Sequence, residues 1–340
     1  MGPLSFSVDR MVQGCEKAVA QAVDCRAPRV SYRSMEATAA LAESGMLAVI
    51  GFGAGQADRD DPRWLTLALE PFDAPAPLEC WEVEGEVVAG RDGAIRWSRG
   101  GGWLFASISL DETEHGGVES TAERAYRALA AFLAQQPEHH VLRMWNYLTA
   151  INHGAGDAER YKQFCNGRAR GMGEAFGEGF PAATAIGHLD RRAMLQVYLL
   201  AGMQPGLRVE NPRQVSAWRY PRQYGPTPPS FARAMRLPGG DALAISGTAA
   251  VVGHASAHHD DLFAQLEETL ANLEALLASA DMPAGFDTHS PLKAYVRHPA
   301  DARVVRDFFR QRLPGVPALL LHGDICRSEL LVEIDGWRYA

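Results

Sequence analysis

From residue 95 onward the apolar positions recur first with period two and then at spacings of three and four. Ile95–Ser98 and Trp103–Ser109 read as strands, whose successive side chains take opposite faces. Thr121–Gln135 places Ala122, Ala125, Leu129, Phe132 and Leu133 on one helical face. Val141–Tyr147 predicts a strand, Asp157–Arg168 a second helix with Asp157 as its N-cap, and Pro181–Leu200 two further strands. A proline- and glycine-rich joint, 204–212, comes next. The order then returns. Ala242–Thr248 reads as a strand, Asp261–Ser279 as a helix with a stripe of Leu262, Leu266, Leu270, Leu273 and Leu277, Leu292–Val296 as a strand, Asp301–Arg312 as a helix, and Pro317 onward as closing strands.

The repetition extends to residues. Residues 181–191 align without gaps on 317–327 at an offset of 136, and Asp157–Arg160 on Asp301–Val304 at an offset of 144. The chain therefore reads as α+β, two copies of one unit, divided into 1–210 and 211–340. At the offset of 136, Val197 takes the place of Glu333 and Asp190 that of Cys326. Before residue 95 the pattern is mixed. Cys15–Val23 has helical spacing, 47–55 is a strand entering a glycine loop, 73–77 is a turn-rich connector, and Gly90–Gly93 is a hairpin signal after the alternating run Cys80–Val88. The acidic stretch 56–62 does not suit a phosphate-binding loop.

The closing stretch carries the first candidate chemistry. Glu333 interrupts an apolar strand, and Cys326 lies seven residues earlier. On adjacent strands, thiol and carboxyl would face one cavity, and burial would raise the carboxyl's pKa into the range of a general acid. The alternatives are a glutamate on a wet sheet edge and a cysteine that is ordinary core packing.

Composition narrows the field. With 47% hydrophobic and 22% charged residues, 340 residues suffice for a sizeable core. A net charge of −8 argues against nucleic acid, which requires a basic surface. Five scattered cysteines match neither a zinc site nor a disulfide framework, which points to a reducing cytoplasm, and no membrane span is visible. Three polar clusters remain. Arg219, Tyr220, Arg222, Tyr224 and Arg233 lie in a proline-rich loop, either as carboxylate forks or as solvated arginines. Trp145–Asn152 with Arg160–Arg168 reads either as part of a site or as core tyrosines beside exposed arginines. Gly247 stands where a strand wants a side chain and can mark a close approach, while His254, His258 and His259 lack the carboxylate pattern of a metal site.

These stretches carry a resemblance. Each copy resembles the RidA (YjgF) unit, a mixed sheet backed by two helices, and the whole chain resembles the chorismatases. The similar segments are Trp145–Tyr147, Glu159–Tyr161 with Gly167–Arg168, Tyr220–Pro226, Ser230–Arg233, Ser246–Ala249 with Val252–Ala255, and Gly323–Arg327 with Glu333. The resemblance implies cleavage of the enolpyruvyl ether of chorismate, with Glu333 protonating the methylene carbon and pyruvate departing. It implies Tyr147, Arg160, Tyr220, Arg222 and Arg233 around the two carboxylates. Gly247 with Cys326 is similar to the branch that forms 3-hydroxybenzoate, some of whose members also give 4-hydroxybenzoate. A hydrolytic branch yielding a dihydrodiol and a non-catalytic binder on the same scaffold are the alternatives. No cofactor and no metal is implied, and the expected assembly is a monomer or small homo-oligomer.

Overall fold

The computed structural model describes residues 26–53, 59–72, 77–173, 179–188, 190 and 192–340. The helical stretch read over Cys15–Val23, the end of the glycine loop and residues 73–76 fall outside them. In the first unit, β5 (Val88–Asp92), β6 (Ile95–Gly100), β7 (Trp103–Asp111), β8 (His140–Thr149), β9 (Ala182–His188) and β10 (Met194–Gly202) lie in the order β9-β8-β10-β7-β6-β5, with α2 (Val118–Leu133) and α3 (Arg160–Met172) between strands. In the second unit, β11 (Leu207–Val209), β12 (Ala234–Arg236), β13 (Ala242–Thr248), β16 (Leu292–Val296), β17 (Ala318–His322) and β19 (Val332–Tyr339) lie in the order β17-β16-β19-β13-β12-β11, with α4 (Leu262–Ser279) and α5 (Ala302–Arg312). The two orders match strand for strand. In each, one parallel pair, β8–β9 or β16–β17, is joined through a helix. The chain is α+β, with two tandem RidA/YjgF-like units.

Local chemistry explains most boundaries. Asp261 caps α4 by accepting from the Ala264 amide at 3.0 Å. The expected stripes on α2 and α4 are buried against their own sheets, apart from the half-buried Leu262. Asp157 is a correction. It lies in a short 3-10 turn, α3 begins only at Arg160, and the Asp157 carboxylate takes the Arg222 guanidinium instead.

The N-terminal stretch holds more order than its sequence suggests. β1 (Arg29–Arg33), α1 (Ala37–Leu41), β2 (Met46–Phe52), β3 (Trp64–Leu67) and β4 (Leu78–Glu82) form a sheet in the order β1-β4-β2-β3. That order repeats β13-β19-β16-β17, including the parallel outer pair. It is a reduced third copy of the unit, with a five-residue helix where the others have long ones.

The inner faces of all three sheets meet in one core. Trp81, Trp145 and Trp337 touch one another there, with ring centroids 5.3–6.2 Å apart. Four buried charged groups join them. Lys293 Nζ lies 2.8 Å from Glu79, and Arg143 Nη2 lies 3.2 Å from Asp335. The signs balance, two against two, as a dry interior requires.

The ungapped alignment of the two copies proves to be one residue out. Val197 packs toward the helices, whereas Glu333 faces away from its own. The residue opposite Tyr295 on the neighbouring strand is Glu333, and the residue opposite Tyr147 is Gln196. Gln196 is therefore the counterpart of Glu333, since a slip of one residue moves a side chain to the other face of a strand. The Gln196 amide donates to the Thr66 carbonyl of the N-terminal sheet at 3.0 Å, which closes that cleft.

Candidate active site

The cleft between the first and second units stays open. Short strand β18 (Asp324–Ile325) leaves its own unit and pairs with β9, so the loop after it is carried onto the neighbouring sheet. A cavity of about 280 Å3 lies there, walled by β8, β9 and α3 on one side and by β13, β19 and the loop after β18 on the other. Residues 214–231 form its roof, in two short 3-10 turns. Arg327 stacks on Tyr224 and Tyr220, 4.1 and 5.1 Å from their ring centroids, and holds the roof to the floor.

Glu333 projects from β19 into this cavity and is 5% exposed. Burial pushes its carboxyl up to about 8, and the nearby Asp335 pushes the same way, against the pull of Arg143, Arg233 and Arg327. At neutral pH it is largely an undissociated acid. The missing side chain at Gly247, beside a bulge in β13, makes room for it. A Cβ built at position 247 would lie 2.0 Å from Glu333 Oε1. The glycine read as a ligand's close approach is thus first a close approach of the acid itself.

Cys326 faces the same cavity, though not from an adjacent strand. It follows β18 and reaches Glu333 from the loop that crosses between sheets. Burial, and then the nearness of Glu333, raise its thiol far above the ordinary range, so it is neutral and no thiolate nucleophile.

Of the expected anion ligands, two line the cavity. Arg233 is buried; its Nη2 donates to the Val215 carbonyl and to Tyr220 Oη at 2.7 and 2.6 Å, while its Nε has no acceptor among the described residues. Tyr220 is held by that bond. Three others are corrected. Tyr147 is fully buried outside the cavity wall, its hydroxyl 2.9 Å from Tyr295 Oη. Arg160 is spent on both oxygens of Glu112 and on the Thr149 carbonyl. Arg222 is exposed and paired with Asp157, which ties the roof to the first unit.

A second cationic ligand candidate takes their place. Arg168, on α3, is 4% exposed and lines the cavity, and its Nε and Nη2 have no acceptor among the described residues. The Tyr126 ring backs it at 5.2 Å. The sequence leaves Arg168 either in a site or on an exposed face; the packing of α3 over the cleft turns it inward. Asn146 and Thr184 complete the wall, with Asn146 fixed between Tyr126 Oη and the Thr184 carbonyl. Such a cavity suits a small dianion with an acid-labile group: two guanidiniums present N–H groups, and one protonated carboxyl stands beside them. The three histidines have other partners, Tyr224, Glu268 and the Ser256 carbonyl.

The 3-hydroxybenzoate synthase of Streptomyces hygroscopicus is 35% identical over 285 residues, which span 78% of this chain and 81% of that protein. The chain belongs to the chorismatase family. A chorismatase of the same organism is 35% identical over 281 residues, 78% of this chain and 80% of its own. Residues 79–201 match the family model described as chorismatase FkbO/Hyg5-like, N-terminal. A chorismatase crystal structure is 30% identical and superposes with a TM-score of 0.82 over 92% of this chain and 98% of its own. Family membership thus agrees with the cleft, which both large units build.

The raised Glu333 pKa has a cost in stability that can be measured. Above the ordinary carboxylate range and up to about 8, folded Glu333 keeps a proton that the unfolded chain has lost. Folding then weakens as pH rises through that window, by up to about 1.4 kcal/mol per pH unit from this group. Glu333→Gln removes the loss. Its melting temperature, followed by circular dichroism, is expected to rise relative to wild type between about pH 5 and pH 8; a constant difference would show that Glu333 titrates normally.

Proposed function

We propose that this protein cleaves the enolpyruvyl ether of chorismate, with Glu333 as general acid, and releases pyruvate and 3-hydroxybenzoate. The observation that carries it is a buried carboxyl, its pKa pushed up by burial, beside two guanidiniums with N–H groups that have no acceptor among the described residues. In this reading Arg168 and Arg233 hold the two carboxylates, with Tyr220 fixed by Arg233. Glu333 gives its proton to the enolpyruvyl methylene, the ether carbon becomes an oxocarbenium, and the C–O bond to the ring loosens. The neighbouring ring hydroxyl then acts within the molecule, and pyruvate departs. Together the two products contain the atoms of chorismate, so no water is consumed; the proton taken up at the methylene is balanced by one lost from the ring on aromatisation. Residues 211–340 supply the acid, and residues 1–210 supply Arg168 and the opposite wall. The free thiols of Cys80, Cys165 and Cys326 accord with a cytoplasmic setting.

The name printed for one relative, 3-hydroxybenzoate synthase, supports this product. So does the pairing of Gly247 with Cys326 around Glu333, both of which line the cavity next to the acid. The test is incubation with chorismate, with pyruvate followed by a coupled assay and ring products by chromatography. Equal amounts of pyruvate and 3-hydroxybenzoate are expected. Absence of pyruvate overturns the reading, and a dihydrodiol product moves the protein to the hydrolytic branch.

Cys326 is expected to govern product more than rate, and Gly247 to affect both. Cys326→Ala enlarges the space beside Glu333, and Gly247→Ala forces the carboxyl to swing away from a Cβ that would otherwise overlap it. Cys326→Ala alone is expected to keep pyruvate release within about tenfold of wild type, because the acid stays in place, while the ring products change; adding Gly247→Ala, which displaces the carboxyl, is expected to change the products further and to slow pyruvate release. An unchanged product distribution would mark Cys326 as core packing.

A further inference from the structure

We propose that Asp335 is a positioning residue, a buried carboxylate that locks β19 against the neighbouring unit and acts electrostatically on the acid Glu333 beside it. The inference rests on the reading of Glu333 as the acid. Asp335 is fully buried. Its Oδ2 accepts from Thr184 Oγ1 at 2.8 Å, Trp145 Nε1 at 3.0 Å, Tyr295 Oη at 3.1 Å and Arg143 Nη2 at 3.2 Å. Lys293 Nζ lies 3.9 Å from Oδ1. Oδ2 is thus met by four donors, whereas Oδ1 has no hydrogen-bond donor among the described residues. Three of the donors, Arg143, Trp145 and Thr184, come from the first unit, so the same bonds fix the strand that carries the acid.

Asp335 lies two residues from Glu333 on the same strand face, about 7 Å away. A second negative charge on Glu333 would be repelled across a dry interior. The other groups facing Glu333 do not cancel this. Tyr295 on β16, Tyr161 on α3 and Cys326 are held neutral by burial. The cations are Arg143 on β8, which is spent on Asp335, Arg168 on α3, Arg233 before β12 and Arg327 after β18. Arg168 and Arg233 are the groups assigned to substrate, whose charge will oppose theirs. The counterpart strands lack such a pair of carboxyls. β10 has Gln196 and Tyr198 on the equivalent face, and β4 has Glu79 two residues before Trp81, with Pro77 in the position of Glu333. The arrangement accompanies the open cleft and is absent from the closed one.

Asp335→Asn tests this, because an amide oxygen can still accept from the four donors while the charge is gone. The midpoint for Glu333, followed by 13C NMR of glutamate-labelled protein and assigned by its loss in Glu333→Gln, is expected to fall by about one unit or more. The basic limb of the kcat/KM profile for chorismate should move with it. Since Asp335→Asn leaves the core one positive charge in excess, the balanced Asp335→Asn/Lys293→Gln double variant is measured beside it and is expected to shift in the same direction by a smaller amount. An unmoved midpoint in a folded variant, with activity lowered evenly across pH, overturns the proposal and leaves Asp335 a structural residue. A shifted NMR midpoint in a protein that never acts on chorismate overturns the proposed function but not the coupling.

Discussion

Glu333→Gln is expected to abolish pyruvate release while substrate still binds. Protonation of carbon is slow and requires a positioned donor, and general acid catalysis is typically worth about 10²–10⁴-fold. Glutamine keeps the shape that Gly247 admits, so the cavity is preserved, but an amide holds no transferable proton at neutral pH. The loss should fall on kcat, with KM for chorismate within a few-fold of wild type, because the carboxylates of the substrate are assigned to other residues. The paired measurement is the coupled pyruvate assay and equilibrium binding of chorismate to the variant. Near-native pyruvate formation would place the acid elsewhere. Lost binding with an unaltered fold would make Glu333 a binding group.

The acid was legible because a carboxylate inside an apolar strand conflicts with its surroundings, and such conflicts tend to mark sites. The repeat was legible for a similar reason, as both units spend long amphipathic helices on one face of a sheet. The third copy was not, since its helix is only five residues long and shows no stripe. The one-residue slip in the alignment of the copies was invisible too. Sequence identity fixed the offset at 136, but which face a strand residue takes depends on pairing with β8 and β16. Arginines were the hardest to place. Arg160 and Arg222 looked like anion ligands until Glu112 and Asp157, 48 and 65 residues away in sequence, were seen to claim them. For Arg168 the sequence leaves both a site and an exposed face open, and only the closing of α3 over the cleft decides between them. A guanidinium is a ligand only when the fold leaves it unpaired, and that is a tertiary property.

Arg168 and Arg233 together are expected to control affinity. A charge-assisted hydrogen bond lost at a buried site typically costs about 1.5–3 kcal/mol, so Arg168→Met and Arg233→Met should each raise KM for chorismate by about tenfold or more. Methionine retains much of the bulk that backs Tyr126 and Tyr220, which limits collapse of the cavity. The double variant separates two geometries. If each guanidinium holds a different carboxylate, the effects multiply, as independent sites do. If both grip one carboxylate, the second substitution adds little. Arg222→Ala serves as the comparison, since its exposed pair with Asp157 is worth at most about 1 kcal/mol, and it should change KM by less than about fivefold. A wild-type KM in Arg168→Met would remove that residue from the site and pass the second carboxylate to Arg327, in the loop after β18, which stacks on Tyr220 and Tyr224 of the roof and is the next cation facing the cavity.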